Sequence, residues 1–203
     1  MTKLCKNEYL PAIENIHFGN NNSPIKFSVI SVLLACAITA AFGDIRTQHK
    51  NITCETLDPS YAVIPVCRLM ELRPGIIGAN FHMKILKLPI RKGTVNFSVW
   101  RKLTGYHPFL FNVTLNFCHY MKLPNPLHVF YYFYGAMLPF INMNHTCPIN
   151  HDIILKDFVL DDQMFSKVPV PKGSYMFIIK FITEGVWRGT VHSYLDINQI
   201  KSN

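Results

Sequence analysis

The cysteines and the histidines near them are the side chains of this sequence best suited to covalent cross-linking or metal binding. Four cysteines follow an apolar segment near the N-terminus: Cys54, Cys67, Cys118 and Cys147. His119, His145 and His151 lie close to the last two, and imidazole with thiolate is a usual ligand set of structural zinc. The C-x-x-C spacing of such sites is absent, and an even number of cysteines in an exported chain indicates disulfides instead. We therefore expect no metal and no cofactor.

The four cysteines can form disulfides in three connectivities. We favour Cys54–Cys67 and Cys118–Cys147, because neighbours in sequence close the shortest loops. In the chain-entropy description, each of these bonds stabilises the fold by about 3 to 4 kcal/mol. The second pairing would also bring His119 and His145 toward one another.

Catalytic signatures are absent from the sequence. It has none of the spaced motifs of serine hydrolases, zinc proteases, P-loop nucleotide enzymes or Rossmann dehydrogenases. Its one adjacent acidic pair, Asp161-Asp162, lies in a predicted turn. The sequence therefore predicts a protein that is not an enzyme.

Beyond residue 43 the chain carries four acceptor motifs for N-linked sugars. The acceptor residues are Asn51, Asn96, Asn112 and Asn144. Two of them, Asn96 and Asn112, fall on outward positions of predicted strands. Together with the cysteines, these motifs predict a glycosylated, exported chain.

The segment before residue 44 has the features of an export signal. Residues 27–42 form an uncharged apolar run of 16, shorter than the roughly 20 residues that span a bilayer. Small residues around Gly43 suit a signal peptidase, so we expect a signal peptide over 1–43 with a long polar n-region. The alternative is an uncleaved type II membrane anchor formed by 27–42. We expect residues 44–203 to form a single secreted domain.

The chain is basic, with a net charge of +8, and this charge favours negatively charged partners. Six basic residues occur between 84 and 102 with no acidic residue among them: Lys84, Lys87, Arg91, Lys92, Arg101 and Lys102. They form either the solvated face of a hairpin or a surface for anionic lipid headgroups or acidic glycans. No DNA- or RNA-binding signature is present, so nucleic acid is not an expected partner.

Alternation of apolar and polar residues predicts strands along most of the chain. The clearest run is 109–118, where Phe109, Phe111 and Phe117 face one side and Asn112 the other. Similar patterns predict further strands: 52–57 and 61–69 as a hairpin, 81–88 and 94–102 in a meander with 109–118, then 153–160, 174–183 and 186–197. Short strands separated by turns predict a mainly β fold, a two-sheet antiparallel sandwich or cup.

One segment has helical spacing instead. Its apolar residues recur at intervals of three and four: Leu127, Phe130, Tyr131, Tyr134 and Leu138. Asn125-Pro126 supplies a cap and a first-turn proline. We expect one inserted helix over 125–138, lying over one end of the sandwich as a lid tethered by Cys118–Cys147.

Aromatic residues are unusually frequent on the inward faces of the predicted elements. They either fill the core or, if the sheets splay apart, line a cavity for an apolar ligand. Periodicity alone does not separate these two alternatives. The candidate cavity residues are Phe97, Phe109, Phe111, Phe117, Phe130, Tyr134, Phe177, Ile179 and Phe181.

Four short stretches resemble a known family. They are Cys54-Glu55 with Asp58, Gly105-Tyr-His-Pro-Phe-Leu-Phe-Asn-Val-Thr-Leu-Asn-Phe-Cys118, Asn144-His-Thr-Cys-Pro148 and Pro171-Lys-Gly-Ser-Tyr175. In order and spacing over about 52–197, the chain resembles an insect-specific family of secreted proteins of mostly unknown function that includes the chemosensory-B proteins of flies. That family is similar to the ML lipid-recognition superfamily. The resemblance implies an immunoglobulin-like two-sheet fold with an apolar ligand cavity between the sheets.

Two functions follow from these expectations. The resemblance favours a secreted binding protein for a lipid or other small apolar ligand, such as a hydrocarbon cue in chemosensation. The alternative is an extracellular protein-interaction module with a filled core, for example an accessory subunit of a membrane receptor or channel. A cavity between the sheets would distinguish the first function from the second.

Overall fold

The computed structural model describes residues 44–165 and 170–200. The described segments contain eight strands: β1 (Asp44–Thr56), β2 (Ala62–Arg73), β3 (Ile76–Ile85), β4 (Gly93–Lys102), β5 (Tyr106–Asn116), β6 (Ile153–Val159), β7 (Gly173–Thr183) and β8 (Val186–Ile200). Two short helices, α1 (Phe117–Lys122) and α2 (Val129–Met137), lie between β5 and β6, and a 3₁₀ turn spans Asp162–Phe165. The expected signal peptide over 1–43, with its apolar run 27–42, lies outside the described residues.

The strands form two sheets. One has five strands in the order β1-β8-β7-β4-β5, and the other has three in the order β2-β3-β6. The pairs β2–β3, β3–β6, β4–β5, β4–β7 and β7–β8 are all antiparallel. This confirms the predicted mainly β, two-sheet antiparallel architecture.

Alternation along β4 and β7 builds the inner face of the larger sheet. Their register places three apolar pairs opposite one another: Val95 with Phe181, Phe97 with Ile179, and Val99 with Phe177. Because side chains alternate across a strand, all six face the same side of the sheet. These residues either belong to the buried core or pack against it.

The segments around residue 58 do not form the expected hairpin. β1 belongs to the five-stranded sheet and β2 to the three-stranded sheet, so the Cys54–Cys67 disulfide joins the two sheets. The turn between them is closed by the backbone N–H groups of Tyr61 and Ala62, which donate to the Asp58 carbonyl at 3.0 and 3.1 Å. The polar residues 44–51, which carry no strong alternation, are part of β1.

The strand β3 also differs from its predicted place. It lies between β2 and β6, with Phe81 opposite Cys67 on one side and Leu155 on the other. It is therefore not in a meander with β4 and β5, although β4 and β5 do pair as predicted. Residues 86–92 carry the chain from one sheet to the other, and they include Pro89, whose peptide bond is cis.

The predicted strand 109–118 ends two residues early, where α1 begins. The side chain of Asn116 accepts a hydrogen bond from the His119 N–H at 2.9 Å and so caps the helix. Asparagine favours this position because its side-chain oxygen satisfies an N–H that has no partner within the helix. Phe117 and Cys118 are consequently helical, and both are buried.

The inserted helix α2 lies inside the predicted range 125–138. Asn125 begins a turn rather than the helix, since its side chain accepts from the Leu127 N–H at 2.9 Å. His128 is the N-cap, and its ring nitrogen accepts from the Phe130 N–H at 3.2 Å. No helix within residues 44–165 and 170–200 is long and apolar enough to cross a membrane.

Candidate functional site

A cavity of about 160 Å³ lies between the two sheets. Its walls come from β3 (Phe81, Met83), β4 (Val95, Phe97), β6 (Leu155, Phe158), β7 (Phe177, Phe181), β8 (Val191, Leu195) and α2 (Phe130, Phe133, Met137). Both sheets and the inserted helix therefore contribute, and the lining is almost wholly apolar. An engineered protein cavity of about 150 Å³ with a similar lining is large enough to bind benzene.

Seven of the nine candidate cavity residues surround this space. They are Phe97, Phe117, Phe130, Tyr134, Phe177, Ile179 and Phe181. Phe109 and Phe111 do not line it. Phe109 packs against Tyr175 at a ring-centroid distance of 5.6 Å, and Phe111 packs against Phe97 and Phe133 at 5.2 and 5.6 Å.

A bulge in β5 explains the position of these two rings. The register places Asn112 opposite Ser98 but Phe109 opposite Val99, so two extra residues of β5 lie between adjacent β4 positions. Leu110 in this bulge has a φ of 61°, which is rare for a residue with a side chain. Phe109 and Phe111 are still half-buried, as alternation predicts. Because the bulge bends the strand, however, their rings lie beside the cavity and not in its wall.

The helix α2 forms one wall of the cavity through a face that differs from the predicted one. Phe130 and Tyr134 are buried as predicted, and Phe133, which the spacing did not select, is only 5% exposed. The other residues placed on that face are at least 38% exposed: Leu127, Tyr131 and Leu138. Nearly every residue of α2 is apolar, so two neighbouring faces fit the three-and-four spacing equally well. Phe133 meets Phe97 at 5.2 Å and Phe177 at 5.3 Å.

The two predicted disulfides are both present. Cys118–Cys147 joins α1 to the loop before β6, so α2 lies within the 29-residue loop that it closes. The Tyr134 hydroxyl also donates to the Met143 carbonyl. Burial raises the pKa of Tyr134, which keeps this hydroxyl protonated as a donor. The disulfide thus closes the loop that contains α2, and the Tyr134 hydrogen bond ties the helix itself to the segment that follows it.

Arg188 is a charged residue that lines the cavity, and each of its three side-chain nitrogens donates a hydrogen bond. Nε donates to Thr183 Oγ1 at 2.7 Å, and Nη1 donates to Asp58 Oδ2. The guanidinium carbon lies 4.0 Å from the centroid of the Tyr61 ring. A hydrogen bond from Ser60, together with Arg188, lowers the pKa of Asp58. Asp58, one of the residues that carry the family resemblance, is therefore a structural residue that links the turn after β1 to β8.

His49 is a second polar residue in the lining, and the sequence offered no signal for it. It is 2% exposed, and its Nε2 lies 3.1 Å from the Phe158 carbonyl, to which it donates. Burial lowers the pKa of His49 to about 4, so the imidazole is neutral at ordinary pH. Since Cys54 bonds to β2 and His49 bonds to β6, the strand β1 reaches both edges of the smaller sheet.

The histidines considered as zinc ligands are arranged differently from the expectation. His145 approaches His151, with the two Nε2 atoms 2.6 Å apart, whereas His119 is exposed. Cys118 and Cys147 form a disulfide and offer no thiolate. Across the described residues, no group of three or more His, Cys, Asp or Glu side chains is placed to hold a metal ion.

The acceptor asparagines fall into two groups. Asn51, Asn112 and Asn144 are exposed. Asn96 is 9% exposed, and its Nδ2, the atom that would carry a sugar, donates to Asn112 Oδ1 at 2.8 Å and to Thr114 Oγ1 at 2.9 Å. The position of Asn96 therefore argues against the glycan expected there, although alternation placed it on an outward face.

The basic residues between 84 and 102 are mostly at the surface. Five of the six are exposed: Lys84, Lys87, Arg91, Lys92 and Lys102. Arg101 is half-buried and lies over the Phe109 ring at 5.7 Å, while its Nη2 donates to the Lys172 carbonyl at 3.3 Å. Both alternatives for this basic segment, a solvated face or an anion-binding surface, remain predictions.

The comparisons with known proteins concern the middle of the chain. The profile of a family described as "Protein of unknown function (DUF1091)" matches residues 95–177, which is 83 of the 203 residues. The matched part runs from β4 through β5, both helices and β6 into the first half of β7. No curated protein matches the chain. Over residues 95–177, which include the aromatic wall of α2, the chain is therefore similar to this family.

Proposed function

We propose that this protein is a secreted binding protein for a small apolar ligand, held in the cavity between its two sheets. The observation that carries the proposal is a 160 Å³ space surrounded by apolar side chains from both sheets and α2. Catalysis, a bound cofactor and nucleic acid are not part of the proposal. The two disulfides fit an extracellular protein, and the acceptor asparagines and apolar segment 27–42 support secretion.

The energetic cost of the cavity supports a use for it. Protein cavities lower stability by about 24 cal/mol per Å³, so 160 Å³ corresponds to about 4 kcal/mol. Domains typically have only about 5 to 15 kcal/mol of net stability. A ligand that fills the space would recover much of this cost, because its surface leaves water as the lining regains contacts.

The volume also limits what the ligand can be. A single six-membered ring or a short branched chain fits the space as it stands. A long acyl chain needs more room, which an outward movement of α2 would create. Such a movement would have to break the hydrogen bond from the Tyr134 hydroxyl, near the middle of the helix, to the Met143 carbonyl. The Cys118–Cys147 disulfide, which closes the loop containing α2, limits how far the helix can move.

Resemblance suggests the biological setting. The chain resembles the insect family that includes the fly chemosensory-B proteins, and through it the ML lipid-recognition superfamily. We therefore propose a hydrocarbon or lipid cue as the ligand, delivered in chemosensation. All four stretches that carry the resemblance contribute structural contacts: Asp58 pairs with Arg188, Cys118 bonds to Cys147, and the Tyr175 hydroxyl donates to the Pro171 carbonyl.

The test uses protein expressed from the full sequence in eukaryotic cells, whose secretory pathway allows disulfides to form. Organic extraction and mass spectrometry would identify co-purified lipid. Calorimetric titration with toluene would measure binding of a ligand that matches the cavity, and a fluorescent fatty acid would test longer chains. We expect saturable binding with one site. Absence of both co-purified lipid and saturable binding would contradict the proposal.

A matched pair of variants makes this test specific for the cavity. Ala79 lines the cavity, whereas Ala62 is buried elsewhere in the core. Ala79→Leu should weaken toluene binding at least about fivefold, because the added side chain occupies part of the 160 Å³ and a lost contact of about 1 kcal/mol is a factor of roughly five. Ala62→Leu should leave the affinity of the folded protein unchanged. Equal effects of the two variants would place the binding outside the cavity.

The second candidate function is an extracellular interaction module, such as an accessory subunit of a membrane receptor or channel. Exposed apolar residues around α2 favour it: Leu123 is 69% exposed, Leu127 is 90% exposed, and Tyr131 and Tyr132 are 39% and 37% exposed. The Tyr131 and Tyr132 rings also meet, with centroids 6.1 Å apart, and exposed apolar side chains that cluster are common at protein interfaces. A stable protein partner whose binding is lost in Leu127→Glu, with no apolar ligand bound, would favour this function over the first.

A further inference from the structure

His145 and His151 form a close pair in the loop between α2 and β6. Their Nε2 atoms are 2.6 Å apart, and their rings meet edge to face with centroids 4.9 Å apart. Both residues are only half-buried, so a dissolved ion can reach the pair. A contact of two ring nitrogens at this distance requires a particular distribution of protons.

The other two ring nitrogens determine where those protons lie. Nδ1 of His145 lies 2.7 Å from the Thr146 carbonyl oxygen, and Nδ1 of His151 lies 2.7 Å from the Asp152 carbonyl oxygen. A carbonyl oxygen only accepts, so each Nδ1 carries a hydrogen and donates it. The two Nε2 atoms then present lone pairs to one another, and two such acceptors repel unless they share a cation.

Asn142 agrees with this assignment. Its Oδ1 accepts from the Ile154 N–H at 2.9 Å, so its Nδ2 is the donor side, and Nδ2 donates to the Asp152 carbonyl at 2.8 Å. Nδ2 lies 3.2 Å from His151 Nδ1, farther than the 2.7 Å between that Nδ1 and the carbonyl. The carbonyl is therefore the partner of the ring, and Nδ1 of His151 is a donor.

The loop that carries the pair is anchored on several sides. Cys147 is bonded to Cys118, and Ile149 exchanges backbone hydrogen bonds with Ile90 at 2.8 and 2.9 Å. The carboxylate of Asp152 lies 2.9 Å from His82 Nε2 and accepts from the Ile85 N–H at 2.9 Å. The two imidazoles are consequently held near one another before any ion binds, which reduces the entropy lost on binding.

We propose that His145 and His151 chelate one divalent transition-metal ion, Zn²⁺ or Cu²⁺, through their Nε2 atoms. Imidazole nitrogen suits these ions, and a ligating histidine commonly donates its other ring N–H to a carbonyl or carboxylate, as both do here. With metal–nitrogen bonds of about 2.0 to 2.1 Å, the two nitrogens must be roughly 3 Å apart, so the rings separate by less than about 1 Å. Since the described residues offer no third His, Cys, Asp or Glu there, water completes the coordination.

The experiment is a calorimetric titration of the full disulfide-bonded chain with Zn²⁺ and, separately, Cu²⁺ at neutral pH. We expect one saturable site. His145→Gln and His151→Gln should each weaken it by more than about tenfold, because the loss of even an outer-shell partner of a metal ligand typically costs 10- to 100-fold. His145→Gln also keeps the acceptor motif Asn144-x-Thr146 intact. The control is His119→Gln, which changes an exposed histidine beside the same disulfide and should leave the affinity unchanged.

A measurement on the unaltered protein covers the case in which a variant does not fold. In ¹⁵N-histidine-labelled protein, Zn²⁺ should shift the Nε2 resonances of two histidines while their Nδ1 atoms stay protonated. No saturable binding, equal binding by the paired variants and the wild type, or shifts spread over all histidines would each overturn the proposal. In the first of those cases the pair shares a proton and binds no metal.

Discussion

Replacing Ala79 with leucine should stabilise the protein, because the added atoms enter the cavity. Ala79 lies on β3, is 2% exposed and lines the 160 Å³ space. Leucine adds three carbon atoms, and each buried methylene contributes about 0.8 kcal/mol. The largest gain is therefore about 2.4 kcal/mol. After the loss of leucine side-chain entropy on burial, we expect a net gain of about 1 to 2 kcal/mol.

The same substitution at Ala62 should have the opposite sign. Ala62 lies on β2 and is 0% exposed, but it does not line the cavity. Extra methylenes in a filled core force side chains from their preferred rotamers, which costs about 1 to 3 kcal/mol. Two alanines buried in the same smaller sheet are thus a matched pair that separates hollow from filled space.

The assay is thermal and guanidinium unfolding of both variants after organic extraction of any ligand, with the disulfides kept oxidised. For a chain of this size, 1 kcal/mol moves the Tm by about 2 to 4 °C. Ala79→Leu should raise the Tm by about 2 to 8 °C, and Ala62→Leu should lower it. If both variants lower the Tm equally, the space beside Ala79 is not available to a side chain, and the cavity argument fails.

Three further predictions concern other parts of the molecule. Burial lowers the pKa of His49 to about 4. Between pH 6.5 and 4 the unfolded chain therefore binds a proton at this residue that the folded chain does not. The free energy of unfolding should fall by about 3 kcal/mol as the pH falls through this window. His49→Gln should remove that part of the pH dependence in urea unfolding, leaving the smaller slope from His192, whose pKa burial also lowers; an unchanged slope would refute the role of His49. Replacing both Cys118 and Cys147 with alanine opens a 29-residue loop and should cost about 3 to 4 kcal/mol by denaturant unfolding, while increasing the dissociation rate of a cavity ligand in stopped-flow measurements; an unaltered rate would show that α2 does not gate the cavity. Glycopeptide mapping should find sugars at Asn51, Asn112 and Asn144 but not at Asn96, and an occupied Asn96 would mean that its hydrogen bonds to β5 do not form in the glycosylated protein.

Strands were predicted correctly where one face of the strand is apolar and the other is polar. In β5 the half-buried positions alternate with exposed ones from Phe109 to Asn116, as the sequence pattern predicted. β1 was only partly predicted because its first half is polar. Its burial depends on partners such as Phe158, 109 residues away from His49, and no local pattern contains that information.

The main error of the sequence-based prediction was the sheet to which β2 and β3 belong. Alternation identifies the apolar faces of β2 and β3 but not the strands that pair with them. An apolar face can be buried against any other apolar face across the core. The turn at Asp58 suggested a hairpin, yet the chain crosses from one sheet to the other at that turn. Both favoured disulfides are present, as expected for short loops that cost the least entropy to close, although Cys54–Cys67 joins the two sheets rather than clamping a hairpin.

The candidate site shows the same division. Seven of the nine candidate residues line the cavity because inward-facing positions of β4 and β7 and buried positions of both helices converge on one core. Phe109 and Phe111 were misplaced because a bulge changes direction without changing the period. Phe133 was missed because the apolar residues of α2 surround the helix axis, so that only packing against Phe97 and Phe177 selects the buried face.

The class of fold and the aromatic inner faces follow from the sequence, because both depend on the local period, and short loop closure favoured the disulfide pairs that are present among three possible pairings. The space of about 160 Å³ between the aromatic faces follows from the tertiary structure, since a volume depends on how far apart the walls stand. The tertiary structure alone also brought His145 to His151 and His49 to Phe158. Distances between side chains are set by packing, bulges and crossovers, and none of these follows from residue spacing along the chain.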